Sequence, residues 1–421
     1  MTRTLQRVVV VGLGYVGLPL AQSATRAGLK VFGLDRSKAL VATLSSAISH
    51  VDDISNDDLQ QMLNGGFEAT TDPSCVSESD VAVICVPTPL KDNGTPDLEA
   101  VTAATTVISA QLRKGMLVIL ESTTYPGTTE GLVRDLLEES GLKAGVDFHL
   151  AFSPERIDPG NPTFTFQNTP KVIGGLTAEC ARLAADFYSR MVDEVVLTKG
   201  LKEAELSKLL ENTYRHVNIA LVNEMAIFCH DLGIDLWDSI NAAQSKPFGF
   251  QPFFPGPGVG GHCIPIDPNY LSYEVRKLGY QFRFVELAQE ISKRMPAYVA
   301  HRVQQSLNNR SLAISSAKVT LIGLAYKADI ADDRETPARD VIRALRKMGA
   351  DITAIDPYLR EFRVDEVPVK LTTNIDDTVT KSDIVVVLQH HKVINFESII
   401  RMAPLVFDTR GVLHGENVEL L

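Results

Sequence analysis

Positive charge is in short supply: 41 Lys and Arg stand against 52 Asp and Glu, for a formal charge of −11. A nucleic-acid binder must lay a basic surface against phosphates, so this balance argues against such a partner. It leaves room for a local basic pocket around one small phosphate ligand. Cysteine is scarce as well. Cys75, Cys85, Cys180, Cys229 and Cys263 are an odd number without a C-x-x-C pair, which fits a reducing, cytoplasmic setting and leaves each thiol to be judged singly. Long apolar runs are missing too: nothing approaches the ~20 residues that span a bilayer, so no membrane partner is expected. The run from Val8 to Ala21, behind Arg3 and Arg7, has the outline of a secretory signal. The G-L-G-Y-V-G inside it makes a poor signal core and a good phosphate-binding turn.

What is present is the pattern of a large α/β protein. A chain of 421 residues, 45% apolar and 22% charged, suits two or three globular domains of roughly 150 residues each. Short apolar runs at Arg7–Val11, Lys30–Leu34, Asp80–Val86, Met116–Glu121, Phe148–Phe152 and Val192–Leu197 alternate with helical patterns, as parallel strands with crossover helices require. One long helical stretch follows, about Leu201 to Leu232, whose apolar positions predict packing on more than one neighbour and a dimer surface. From Lys246 to Pro268 a Gly- and Pro-rich run without periodicity reads as a functional loop. The strand–helix alternation restarts at Lys318–Leu324 and continues to Leu405–Asp408. The expected architecture is two Rossmann-like, doubly wound parallel-sheet domains joined by a long central helix: 1–199 for a dinucleotide, 200–308 central and helical with the catalytic loop, 309–421 a smaller α/β unit. Its opening G-L-A-Y-K keeps Gly323 alone of a glycine fingerprint and is expected to echo the fold without a second dinucleotide site.

Gly12, Gly14 and Gly17 form G-x-G-x-x-G between a strand and a helix, where one glycine makes the turn, the next admits a pyrophosphate and the third lets helix pack on sheet. Asp35 ends the next strand, where a carboxylate accepts from the adenosine ribose and repels a 2′-phosphate; NAD is favoured over NADP, with Arg36 beside it as the dissenting residue.

Cys263 follows Gly260, Gly261 and His262 in the irregular loop, and Asp267 comes four residues later. The other four cysteines lie in apolar or helical patterns and read as small buried hydrophobes. A thiol among phosphate-binding amides, near a cation, becomes a thiolate that attacks carbonyls; for Cys263 that reading stands beside the one of a small buried hydrophobe. No Cys or His cluster accompanies it, so no metal is expected; the adjacent His390 and His391 point to different sides and are given no metal role. On the long helix Lys208, Asn212 and Arg215 share one stripe with His216 at its edge, and a lysine there could stabilise a developing alkoxide.

Taken together, G-L-G-Y-V-G-L-P-L-A, I-C-V-P-T-P, E-S-T-T-Y-P-G-T-T, S-P-E-R, K-L-L-E-N-T-Y-R-H-V-N-I-A-L-V-N-E, G-V-G-G-H-C-I-P-I-D-P, G-L-A-Y-K and D-D-R-E-T-P resemble, in order and over the whole chain, the UDP-glucose/GDP-mannose dehydrogenase family. The resemblance implies a cytoplasmic, NAD-dependent enzyme, a homodimer or higher homo-oligomer, that oxidises carbon 6 of a UDP-sugar to the carboxylate. It makes Cys263 the nucleophile, Asp267 its acid/base partner, Lys208 and Asn212 the oxyanion stabilisers, and Glu155 and Thr123 the groups that place water. Tyr15, Val16, Pro87, Thr88, Thr123 and Arg334 join the glycines, Asp35 and Arg36 around NAD. Arg156, Phe253, Phe254, Gly258, Gly260, Gly261, Lys327 and Arg410 join Glu155, Lys208 and Asn212 around the UDP-sugar, with Arg215 and His216 as candidates for a 2-acetamido group. The motif set is most similar to the branch acting on UDP-N-acetylglucosamine; UDP-N-acetylmannosamine and then UDP-glucose follow. A dehydrogenase stopping at the aldehyde has no need of Cys263, and a non-catalytic NAD-binding regulator has no need of Lys208 and Asp267 either.

Overall fold

The computed structural model describes residues 5–51, 53–91, 94–158, 161, 163–261 and 264–421, so His262 and Cys263 lie outside the described residues. The chain divides into two compact units, Met1–Glu211 with Asn269–Tyr280 and Asn212–Pro268 with Gln281–Leu421.

The first unit carries β1 (Arg7–Val11), β2 (Lys30–Leu34), β3 (Phe67–Thr70), β4 (Val81–Ile84), β5 (Leu117–Leu120), β6 (His149–Phe152), β7 (Lys171–Gly175) and β8 (Val195–Leu197), in the sheet order β3-β2-β1-β4-β5-β6-β7-β8. Side chains alternate along a strand. Val8 and Val10 of β1 therefore pack with Leu18 and Leu20 on one face, while Val9 and Val11 pack with Ile108 and Phe148 on the other. Both faces are covered, as a parallel sheet requires, and each fully buried Val contributes about 2 kcal/mol. The all-parallel expectation needs one correction: β6 and β7 pair antiparallel, with Ala151 opposite Gly175. Neither β3, F-E-A-T with a half-buried edge, nor β7, K-V-I-G-G, announces itself by alternation.

The long helix runs Leu201–Leu232, where the apolar spacing places it. Its buried face includes Glu205, Leu209, Asn212, His216, Ala220 and Asn223. The expected stripe is corrected here. His216 sits in the middle of that face at 1% exposure, and Arg215, roughly 100° round the helix from it, is exposed.

The second unit contains β9 (Lys318–Ile322), β10 (Asp351–Ile355), a small hairpin of β11 (Arg363–Val364) and β12 (Val367–Pro368), then β13 (Lys370–Leu371), β14 (Ile384–Val387), β15 (Val406–Asp408) and β16 (Val418–Leu420). Its sheet, β13-β10-β9-β14-β15-β16, is parallel throughout. The helices Arg283–Asn309 and Ala338–Lys347 supply Met295, Val299, Val303, Val341 and Leu345 to the core that covers Leu321, Ala354 and Val386.

One device recurs at the first turn of both sheets. Gly12 N donates to Leu34 O (2.8 Å) and Leu13 N to Asp35 Oδ2 (3.0 Å); Gly323 N donates to Ile355 O (2.9 Å) and Leu324 N to Asp356 Oδ2 (2.7 Å). Both glycines hold positive φ, 93° and 81°, a region closed to ordinary side chains without strain. In the second unit the acid has many more partners. Asp356 also accepts from the amides of Ala325, Tyr358 and Leu359, and the fully buried His391 brings Nε2 to 3.4 Å from Oδ2. His390 turns the other way and stacks on Phe396 at 4.3 Å.

Candidate active site

The turn after β1 has the shape of a pyrophosphate cradle. A Cβ at Gly17 would lie 1.9 Å from Gly12 O and one at Gly12 2.7 Å from Cys85 O, so both positions are closed by backbone. At Gly14 a Cβ would meet nothing within 4 Å, which is open space over backbone amides at the head of the helix Gly17–Arg26. Asp35, half-buried, accepts from Leu13 N at 3.0 Å and Ser37 N at 2.9 Å. Two hydrogen bonds to backbone hold its carboxylate at the strand end where a ribose is read. Tyr15 and Arg36 are exposed and Val16 is half-buried beside it. These residues fit a dinucleotide. Thr88 and Thr123 are half-buried in the same unit and Pro87 is exposed; Thr88 O accepts from Tyr270 Oη at 2.6 Å. Arg334 belongs to the second unit, where its Nε donates to Asp332 Oδ1 at 2.8 Å.

Also in the first unit, Lys208 is buried and its Nζ donates to Glu155 O at 2.5 Å. Glu155 is 9% exposed; one carboxylate oxygen accepts from Ile157 N, and Oε2 is buried without a hydrogen-bond partner. Arg156 is tied down by Pro170 O (2.7 Å) and Glu211 (2.8 Å). Near the start of the long helix, Glu205 accepts from Gly127 N (2.5 Å), Thr129 N (2.9 Å) and Thr129 Oγ1 (2.6 Å). It thereby caps a π-helical turn at Thr129–Val133. Burial outweighs these bonds and pushes its carboxyl up to about 7.

In the second unit Asn212 Nδ2 donates to Asp267 Oδ2 at 2.5 Å, and both side chains are buried, at 3% and 4% exposure. Asp267 opens the helix Asp267–Lys277. His216, one turn beyond Asn212, is pushed down to about 4 by burial and is neutral at pH 7. The loop from Phe253 to Gly261 is pinned by close backbone contacts. Gly256 N donates to Asn223 Oδ1 at 2.9 Å, and its Cα faces Arg410, where a Cβ would lie 3.0 Å from Nη1. Gly260 and Gly261 press on Tyr326, leaving no room for a Cβ at either position (2.8 Å and 2.6 Å). Phe253 meets Tyr214 edge-on at 5.7 Å and Phe254 is exposed. Arg410 is held by Leu388 O at 2.7 Å and lowered to about 10 by burial, so it remains a cation. A guanidinium beside a glycine loop has the chemistry to bind a phosphate, and Lys327 lies one residue past Tyr326, half-buried. Cys263 lies outside the described residues; Cys75, Cys85, Cys180 and Cys229 are buried free thiols, as expected.

The sequence reading missed Glu205, Asn223, Tyr270 and the buried pair Glu121–Lys171, whose partners are 50 positions apart and carry no local spacing signal. Among the described residues no group of three His, Cys, Asp or Glu could hold a metal, and no described helix is long and apolar enough to cross a membrane.

Comparison with known proteins bears on the whole chain. Residues 6–192 match the NAD binding domain of the UDP-glucose/GDP-mannose dehydrogenase family, 202–294 its central domain and 320–415 its UDP binding domain. The UDP-N-acetyl-D-mannosamine dehydrogenase of Pyrococcus horikoshii is 33% identical, over 97% of this chain and 100% of its own length. The UDP-N-acetyl-D-glucosamine 6-dehydrogenase of Pseudomonas aeruginosa is 35% identical, over 84% of this chain and 83% of its own. The solved UDP-D-ManNAc dehydrogenase structure from Pyrococcus horikoshii superposes with a TM-score of 0.89 at 32% identity, covering 99% of both chains.

Proposed function

Because the chain belongs to the UDP-glucose/GDP-mannose dehydrogenase family and is an NAD-dependent nucleotide-sugar dehydrogenase, we propose that it oxidises carbon 6 of a UDP-N-acetylhexosamine, UDP-N-acetylglucosamine first, to the carboxylate. The observation that carries this reading is the buried Asn212–Asp267 pair, a desolvated acid fixed by an amide four residues after the cysteine the motif selects. NAD, when bound over Gly14, supplies the hydride acceptor for each of two oxidations. Asp267 moves the proton of the carbon 6 hydroxyl, and Lys208 and Asn212 stabilise the oxyanions that form. The Cys263 thiol adds to the aldehyde, and the second oxidation of that thiohemiacetal leaves a thioester. Glu155 and Thr123 place the water that cleaves it. The sum is one alcohol, two NAD+ and one water in, one carboxylate, two NADH and three protons out.

Arg410, Lys327 and the Phe253–Gly261 backbone take the UDP, and the neutral His216, able to donate and accept, takes the 2-acetamido group; the exposed Arg215, on another face of the helix, is left out of that role. The sugar assignment rests on the motif set E-S-T-T-Y-P-G-T-T, S-P-E-R-I-D-P-G-N and P-F-F-P-G-P-G-V-G-G-H-C-I-P-I-D-P-N-Y-L. UDP-N-acetylmannosamine is the second reading, favoured by the names of several relatives. Leu206, Leu210, Tyr214, Leu221, Phe228 and Leu232 form an exposed apolar stripe along the long helix, on which a second copy docks to make a homodimer; light scattering on the purified chain tests that. The test of function is NADH absorbance with a panel of UDP-sugars and mass analysis of product. Two NADH per UDP-N-acetylglucosamine and a uronic acid are expected; one NADH with an aldehyde product removes the covalent route.

A further inference from the structure

A cluster of charge lies inside the first unit with no role in the reading so far. Glu121, the first residue after β5, and Lys171, the first of β7, are 0% and 4% exposed and meet at 2.9 Å between Oε1 and Nζ. Tyr188, at the end of the helix Ala178–Tyr188, donates its hydroxyl to Glu121 Oε1, and the Cys85 thiol, just after β4, donates to Oε2 at 3.9 Å. Lys171 Nζ also donates to Pro154 O at 3.4 Å. Lys208 Nζ holds the very next carbonyl, that of Glu155. Two lysines from different elements thus grip consecutive carbonyls of S-P-E-R.

A buried ion pair contributes little stability beyond what an apolar pair of similar size offers, because desolvation cancels most of the attraction. Core packing therefore does not account for this one. The carboxylate of Glu155 does. Its Oε2 is buried and without a hydrogen-bond partner, and its charge reaches a second carboxylate, Glu121; burial and the charge of Glu155 both push Glu121 up, while Lys171 opposes them. The charge of Glu155 reaches Glu121, Lys171, Cys85 and Tyr188, and Lys208 holds its backbone carbonyl. Burial pushes Cys85 and Tyr188 well up, so both stay protonated donors.

We propose that Lys171 is a positioning residue of the dehydrogenase: clamped by Glu121, its ammonium holds the Pro154–Glu155 segment and so fixes the Glu155 carboxylate where it places the hydrolytic water. The inference rests on the reading of Glu155 given above.

The experiment is the pH profile of kcat, by NADH production on the UDP-sugar selected by the panel, for wild type, E155Q, E121Q, K171M and K171M/E121Q. The last variant removes both charges together and folds even where K171M, which strands Glu121, does not. Loss of the acid limb in E155Q shows that the limb belongs to Glu155. Removing the Glu121 charge then moves that limb about one unit to lower pH, and removing the Lys171 charge moves it about one unit to higher pH. The double variant, unchanged in net charge, returns it near wild type with kcat reduced and KM little changed. A merely structural pair moves no limb. If E155Q abolishes the limb while E121Q and the double variant leave both limb and kcat at wild type, Lys171 has no positioning role. If E155Q keeps the limb, the reading of Glu155 itself is wrong, and this inference goes with it.

Discussion

Asn212 donates its side-chain amide to Asp267 across 2.5 Å, with neither side chain more than 4% exposed. A carboxylate so enclosed costs free energy unless its charge is used or paired, and Asn212 fixes the direction in which it is offered. Asp267→Asn keeps the shape and removes the base; kcat is expected to fall about 10²- to 10⁴-fold with little change in melting temperature. Asn212→Ala leaves the acid short of one partner and is expected to cost about 1–3 kcal/mol of stability besides a slower turnover. Steady-state NADH formation with parallel thermal melts checks both, and wild-type kcat in Asp267→Asn would falsify its acid/base role.

Cys263→Ser removes the atom on which the aldehyde is to be captured. No thioester can form, so NADH should not exceed one equivalent per sugar and the uronic acid should be missing from the product mass spectrum. A variant that still makes acid at the ordinary rate sinks the covalent scheme.

Gly14 and Gly17 separate cofactor binding from folding. A methyl at Gly14 meets no protein atom within 4 Å, whereas at Gly17 it drives into Gly12 O at 1.9 Å. Gly14→Ala should melt as wild type does without ligand while its Kd for NAD rises about tenfold or more, the equivalent of roughly 1.4 kcal/mol. Gly17→Ala should lower the melting temperature of the free protein. Equal NAD affinity in Gly14→Ala, measured by calorimetry, would place the pyrophosphate elsewhere.

Glu205 ties stability to pH in a direction unusual for a carboxylate. Its carboxyl is raised from 4.5 to about 7, by burial first. Between those values the native state keeps a proton that the unfolded chain has released. The stabilisation it confers is therefore full below about pH 4.5 and is lost as pH rises to 7, by about 3 kcal/mol at 1.36 per unit. Glu205→Gln should flatten this component of the melting curve between pH 5 and 7; an unchanged slope would assign it to other groups.

Where sequence sufficed, the cause was periodicity. The long helix was legible from Leu201 to Leu232 because its apolar positions recur at helical spacing over nine turns, and β1, β2 and β10 because each opens on a charged residue and continues as a short, mostly apolar run. The glycine turn was legible because Gly12, Gly14, Gly17 and Asp35 lie within one strand–helix–strand unit. β3 and β7 were hidden: each is four or five residues, one with a charge inside and one ending in two glycines. Arg215 and His216 are neighbours in sequence, and only packing decides which of them is buried. Glu121 and Lys171 read as ordinary strand-end charges until the sheet order sets β5, β6 and β7 side by side.

Among the described residues the glycine–acid clamp occurs twice, and of these two the first has capacity to spare. Asp35 takes two amides; Asp356 takes four, with His391 wedged against it. A carboxylate has about four lone-pair directions, and in the second copy they are spent on the loop itself. With Asp35 in the role proposed for it, inhibitors built to mimic adenosine are expected to find one anchoring acid of this kind among the described residues, and the second unit is expected to answer to phosphate chemistry instead.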